Sequence, residues 1–173
     1  SKIMELFEQL TEDHVDFIKD QKVFFVATAV EDGTINLSPK GLDSLRVLEN
    51  NRILWINLTG SGNETAAHVQ KNPRMTLMMN AFDGKPLILR IYGQAKVIHH
   101  LDEDWRELVD LFPYSEGSRQ IFDLSIEKVQ TSCGWAVRWR CREIQSGAGS
   151  GPAPSAPVPK AVFDRSIPAP GRS

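Results

Sequence analysis

The sequence predicts a mainly β domain, an antiparallel barrel with a few helices added to it. Three observations predict it. β-rich apolar segments recur at close spacing between residues 23 and 142. Turn signals such as Asp32-Gly33, Asn50-Asn51 and Asp83-Gly84 separate them. Helical periodicity is confined to short stretches near the start, after a Gly-rich loop and around Trp105. The chain has 173 residues, of which 41% are hydrophobic. That is enough for one domain with its own core, plus a tail.

The elements follow in order. Leu6, Phe7, Leu10, His14, Phe17 and Ile18 recur at helical spacing, so residues 2 to about 19 are expected to form one or two short amphipathic helices, with Thr11-Glu12-Asp13 a plausible start. Residues 23–30 read as a strand, Asp32-Gly33 as a hairpin turn, and Ile35-Asn36-Leu37-Ser38 as the returning strand, with Pro39 marking an edge or a bend. Arg46-Val47-Leu48 is a short strand and residues 52–58 a longer one. Thr59-Gly60-Ser61-Gly62-Asn63 is a loop, residues 64–70 a helix ended by Asn72-Pro73, and residues 74–79 a strand. Residues 87–99 form a long strand with Gly93 as a bulge or bend. Leu101, Trp105, Leu108, Val109 and Phe112 share a helix face, and Asp102-Glu103-Asp104 suits the positive end of its dipole. Arg119-Gln120-Ile121-Phe122 reads as a helical turn, and residues 126–142 hold the last strands. The sum is about six strands. From residue 144 the chain becomes Pro-, Gly- and Ala-rich, so residues 1–143 are the expected domain and 144–173 a flexible tail.

The formal net charge is −2, with both signs mixed along the chain, which argues against broad nucleic-acid or membrane-surface binding. Ser1-Lys2-Ile3-Met4-Glu5 carries no apolar signal core, and no apolar run nears the ~18 residues of a membrane span. A cytoplasmic protein is expected. Cys133 and Cys141 fit no zinc or CxxC spacing; they are either two free thiols in a reducing compartment or one disulfide.

Four constellations could carry chemistry. Strand alternation puts Asn36, Ser38 and Lys40 on one face. A hydroxyl and an ammonium there can bind a phosphate or hold a flavin ring, or they are the polar face of an ordinary edge strand. The loop Thr59 to Thr65 runs into a helix whose free N–H groups suit an anion, with Asn63 and Thr65 as side-chain donors; the alternative is a plain N-cap. It lacks the Gly-Lys-Ser/Thr of a Walker loop and the dinucleotide GxGxxG. His14, His68, His99 and His100 show no metal-binding spacing, so no metal is expected. Cys133, in Thr131-Ser132-Cys133-Gly134-Trp135, has no placed base and reads as a buried structural thiol. No hydrolytic set is present. Arg138, Trp139, Arg140 and Arg142 form a basic-aromatic cluster that is either a solvated strand end or a contact for an acidic partner.

Taken together, Asn36-Leu37-Ser38-Pro39-Lys40-Gly41, residues 53–58, Gly60-Ser61-Gly62-Asn63-Glu64-Thr65-Ala66-Ala67-His68, Asn72-Pro73-Arg74-Met75-Thr76-Leu77, residues 89–95 and 129–134 resemble the pyridoxamine 5'-phosphate oxidase-like, FMN-binding split-barrel family. The resemblance spans residues 23 to 134. It implies a six-stranded antiparallel split barrel with flanking helices, a homodimer, and FMN in a groove at the dimer interface. By position it implies that Ser38, Pro39 and Lys40 line the ring and ribityl chain, that Ile56 and Asn57 add contacts from the next strand, and that Asn63, Glu64 and Thr65 hold the phosphate. Pyridoxamine-oxidising members usually carry an Arg and a Lys in that loop; Glu64 and Thr65 stand there instead. No set here matches the vitamin oxidase's substrate-binding Arg and His, and the chain leaves the family's pattern after Ala136-Val137.

The function so implied is a flavin-dependent oxidoreductase acting on an unspecified small molecule, in which the flavin carries the chemistry and no side chain need be the acid or base. The alternatives are a non-catalytic flavin-binding or redox-sensing module, and a relative that binds haem or a deazaflavin. His99 and His100 would be the axial candidates for haem.

Overall fold

The computed structural model describes residues 4–41, 43–60, 63–113 and 116–137. These lie in the first of two units, Ser1–Arg140. The second unit, Cys141–Ser173, lies outside the described residues, and with it the expected tail and Cys141; so do Arg138, Trp139 and Arg140.

The described residues form eight strands and three helices: β1 (Met4–Phe7), α1 (Glu12–Asp20), β2 (Phe24–Thr28), β3 (Asn36–Lys40), β4 (Leu45–Glu49), β5 (Arg52–Leu58), α2 (Glu64–Lys71), β6 (Arg74–Asn80), β7 (Leu87–Ile98), α3 (Trp105–Val109) and β8 (Ser118–Cys133). A 3-10 turn follows at Trp135–Val137. The strands form one antiparallel sheet in the order β3-β2-β6-β7-β8-β5-β4, with β1 also on β8. The sheet curls, but its two ends do not pair through the backbone, so the barrel is split. The count is eight, two more than the expected six.

β8 organises the sheet. One of its edges pairs with β7 along its length, from Leu87↔Cys133 to Ile98↔Ile121. The other edge pairs first with β5, at Ser118 to Ser125, and then with β1, at Val129 to Ser132. The register on β7 shifts between Tyr92 and Gly93, where Glu127 is the extra residue on β8. Gly93 is required at that point, since a Cβ there would collide with the Ser125 carbonyl oxygen.

Two apolar clusters lie on opposite faces of this sheet. The larger fills the barrel and includes Val26, Trp55, Leu77, Leu89, Ile91, Phe122 and Leu124. The smaller packs Leu54, Ile56, Ile98 and Ile121 under Trp105, Leu108, Val109 and Phe112 of α3 and the turn after it. On the α3 side of the sheet, Arg52 forms a two-pronged pair with Asp123, Nε to Oδ1 at 3.0 Å and Nη2 to Oδ2 at 2.9 Å. That pair raises the Arg52 pKa.

Three expectations change. Residues 4–7 are a strand, not helix. Glu5 and Phe7 point inward and Met4 and Leu6 outward, as an edge strand requires. The helix starts at Thr11, whose Oγ1 accepts from the His14 N–H at 3.3 Å while its own N–H donates to His14 Nδ1 at 3.1 Å. Residues 118–125 are the first half of β8, not a helical turn. Helix α3 is shorter than the pattern of 101–112, because the Asp102 side chain accepts from the His99 N–H at 2.7 Å and holds the preceding residues in turns. No helix among the described residues is long and apolar enough to cross a membrane.

Candidate functional site at the barrel seam

The open seam lies between the two ends of the sheet, β3 and β4, and β5 borders it beyond Trp55, where its ladder with β4 stops. By alternation, Asn36, Ser38 and Lys40 of β3 and Trp55 and Asn57 of β5 face it, and Gln120 of β8 sits beside Asn57 as its cross-strand partner. Lys40 crosses the seam. Its Nζ donates to Asn57 Oδ1 at 3.4 Å and lies 5.4 Å from the centre of the Trp55 ring. Trp55 is fixed in turn by stacking on Phe122, with centroids 4.2 Å apart. Burial lowers the Lys40 pKa, and among the described residues no carboxylate pairs with it. Two more polar atoms at the seam are buried without partners: Ser38 Oγ and Gln120 Oε1. A cation without an anion, and a hydroxyl and a carbonyl oxygen without hydrogen bonds, are costly to keep in a folded interior. A bound polar molecule would satisfy all three.

Helix α2 brings its first turn to the same end of the seam. Asn63, at the N-cap, makes no capping hydrogen bond; its Oδ1 instead accepts from Gln120 Nε2 at 2.5 Å. Asn36 Nδ2 donates to Thr65 Oγ1 at 2.9 Å and to Thr28 Oγ1 at 3.3 Å. Thr28 Oγ1 also meets His68 Nδ1 at 3.2 Å. Glu64 turns aside, accepting from Thr34 at 3.2 Å and lying 3.6 Å from His68 Nε2. This network ties α2 to β2 and β3. With the N-cap uncapped, the helix start keeps N–H groups for an anion.

The structure therefore brings Ser38, Lys40, Asn57 and Asn63 together at the seam. Thr65 supports them through Asn36. Pro39 lies on the other, exposed face of β3, and the Ile56 side chain is buried in the cluster under α3. Glu64 faces Thr34 and His68 rather than the seam. Sequence reasoning did not select Trp55, Gln120 or Thr28, and weighed His68 only as a metal ligand. Gln120 was hidden inside a stretch read as a helical turn, while alternation from Asn57 through Trp55 offered a usable signal for the latter.

Other candidates are placed elsewhere. Cys133 is exposed and free at the end of β8, which corrects the expectation of a buried thiol. His100 lies against Trp105, with ring centroids 4.0 Å apart and planes tilted by 33°, and its Nε2 lies 3.0 Å from the Ser118 carbonyl oxygen. His14 and His68 are buried in the contacts already given.

Comparison with known proteins places this geometry. A family profile described as pyridoxamine 5'-phosphate oxidase matches residues 10–133. The pyridoxamine 5'-phosphate oxidase family protein ustO of Aspergillus flavus is 37% identical over 136 residues, 76% of this chain and 55% of that protein. The chain thus spans little more than half the length of that curated relative. Among solved structures, a Lactobacillus delbrueckii protein named for the same oxidase superposes with a TM-score of 0.57 at 21% identity, over 71% of this chain and 94% of that one. The heme storage protein HutZ of Vibrio cholerae superposes at 0.53 and 16% identity, over 73% and 96%. The FAD binding protein of Mycobacterium smegmatis superposes at 0.51 and 15% identity, over 72% and 96%. These three share the fold.

Proposed function

Because the chain belongs to the pyridoxamine 5'-phosphate oxidase family, we propose that it is a flavoprotein that binds FMN at the β3–β5 seam and serves oxidoreduction of a small molecule. The observation that carries this reading is Lys40, a half-buried ammonium held by Asn57 with no carboxylate among the described residues paired to it. The donor set suits FMN. Ser38 Oγ can donate or accept, Gln120 Oε1 accepts and Lys40 donates, as a flavin ring edge requires. The first turn of α2 offers N–H groups to a phosphate, with Asn63 and Thr65 beside it.

FMN when bound supplies hydride or single-electron transfer. The chain's own residues bind and orient. Trp55, locked by Phe122, gives Lys40 a rigid backing. Asn57 sets the ammonium's direction. Asn36 and Thr28 hold Thr65, and through it α2, against β3. Among the described residues no side chain at the seam is placed as a general base, which fits an enzyme whose protein part works by positioning. Glu64 and Thr65 in place of a basic pair weaken the phosphate clamp, so this reading does not include oxidation of pyridoxamine phosphate.

The seam is open on one side, and a second copy of the chain is the proposed cover. Met4 and Leu6 of β1 are 54% and 58% exposed, and Ile35 and Leu37 at β3 are 76% and 65% exposed. Large apolar side chains at that exposure on two strands suit a dimer interface. The exposed free thiol of Cys133 suits a reducing compartment, the cytoplasm.

Fluorescence titration tests the reading: FMN added to the protein should be quenched at one equivalent per chain and should raise the melting temperature. FMN that neither quenches nor stabilises would overturn it. Titration with haem alongside separates the haem-binding alternative, which a Soret shift without FMN quenching would favour.

A further inference from the structure

A cleft of about 280 Å³ opens between the exit of α1, the start of β2, Gly41 and residues 43–47. It lies next to the seam: Gly41 follows Lys40, and Phe24, which lines the cleft, meets the seam residue Trp55 edge-on with ring centroids 6.2 Å apart. A Cβ at Gly41 would lie 3.0 Å from the Lys22 carbonyl oxygen, so the backbone after β3 runs hard against the exit of α1 there. Its floor is apolar: Ile18, Phe24 and Met79 line it and are 6%, 6% and 1% exposed. Ser44 also lines it. Ser44 is 5% exposed, and its hydroxyl is buried with no hydrogen-bond partner. A buried orphan hydroxyl beside a cleft is what a ligand's polar end would satisfy.

The charges around the cleft select the ligand's polar end. Arg46 is spent: its guanidinium pairs with both Asp43 carboxylate oxygens, at 2.7 and 3.0 Å, and donates to the Leu111 carbonyl at 2.8 Å. Lys19 lies 3.6 Å from Asp16. Lys22 has no ion pair among the described residues. Asp43 holds a left-handed backbone, with φ at 53°, and the Arg46 clamp fixes it, which sets Ser44 at the head of β4. A hydroxyl and one free ammonium over an apolar floor suit a single carboxylate on a small apolar body.

We infer that this cleft is the substrate pocket and that it takes small aromatic or aliphatic carboxylic acids, with the carboxylate on Ser44 and Lys22 and the apolar part over Phe24 and Met79. The inference rests on the seam being the cofactor site, which the cleft adjoins. Its volume is near the lower end of small-molecule sites, roughly 300 Å³. One ring with a short side chain fills it.

The test uses 3-phenylpropionate and its neutral amide, 3-phenylpropionamide, as probes on the whole chain. Binding is read from the Met79 methyl resonance by NMR and from the melting temperature. The acid should shift Met79 saturably and the amide should bind about tenfold more weakly or worse, as loss of a charge-assisted hydrogen bond requires. Ser44→Ala should fold as well as the parent or better, because it removes an orphan hydroxyl, yet lose about tenfold in affinity for the acid. Lys22→Met, at an exposed position, should do the same. No saturable shift, equal binding of acid and amide, or unchanged affinity in Ser44→Ala each overturns the inference. FMN titration of the same samples separates the two readings: failure of FMN to bind removes the cofactor site, whereas failure of acid selectivity with FMN bound removes only the pocket.

Discussion

Lys40 on β3 donates to Asn57 on β5 at 3.4 Å, although these strands sit toward opposite ends of the sheet's hydrogen-bonded path. It is a side-chain link across a gap that the backbone leaves open. Its cost is visible in the lowered Lys40 pKa, which burial causes.

Removing that ammonium should therefore help the empty protein and harm the loaded one. Lys40→Met is expected to leave or raise the melting temperature without FMN, and to weaken FMN by about 1.5–3 kcal/mol, the worth of a charge-assisted hydrogen bond. Isothermal titration with FMN and with riboflavin checks it. A larger loss for FMN puts Lys40 on the phosphate; an equal loss puts it on the ring.

Asn63→Ala gives a second contrast. Asn63 accepts from Gln120, and Gln120 is fully buried. The substitution leaves Gln120 with both ends of its amide unsatisfied, so stability should fall by about 1–3 kcal/mol in urea unfolding. A double substitution with Gln120→Leu should recover most of that loss while FMN binding stays weak.

The Arg52–Asp123 pair predicts an asymmetry. Asp123 is 5% exposed, whereas the Arg52 side chain is 35% exposed. Arg52→Met strands a buried carboxylate, with only Lys96 at 3.6 Å to share it. Asp123→Asn strands a guanidinium that water can reach. Arg52→Met should cost about 3 kcal/mol and Asp123→Asn less, measured by denaturant midpoint. Equal costs would contradict the placement of Asp123.

His14 predicts the direction of a pH effect. Burial lowers its pKa below the usual 6.5, against smaller opposing pulls from Asp13 and Glu5. The folded state thus binds fewer protons than the unfolded one near that pH. The stability His14 contributes is full above the unfolded value and is lost as pH falls through the folded one. Protonation would also end the acceptance of the Thr11 N–H by Nδ1. The melting temperature should drop below about pH 6.5 more steeply in the parent than in His14→Gln.

The strands that alternate were legible in the sequence. β3 shows Asn36, Ser38 and Lys40 on one side with Leu37 and Pro39 on the other, as alternation alone predicts, whereas the family resemblance groups Pro39 with Ser38 and Lys40. β8 was not legible in its first half. Ile121 packs under α3 while Phe122 and Leu124 fill the barrel, so both faces are covered and no period of two survives in the sequence. Gln120 was lost with it. β1 failed for the opposite reason. It is four residues long, and Leu6, Phe7 and Leu10 imitate helical spacing across its end. Only pairing with residues 129–132, over a hundred positions away, makes it a strand. Ile56 shows a further limit: position in a familiar motif did not reveal that its side chain faces the second cluster.

The central place of β8 has a consequence for biosynthesis. As the chain leaves the ribosome, β1, β5 and β7 emerge before the strand that covers their edges. Met4 cannot find Ser132 until nearly the whole domain has been made. Until then three unpaired edges and two half-built cores face water. Folding of this domain waits for β8, and a nascent chain stalled before Ser118, with those edges still open, would be a client for chaperones.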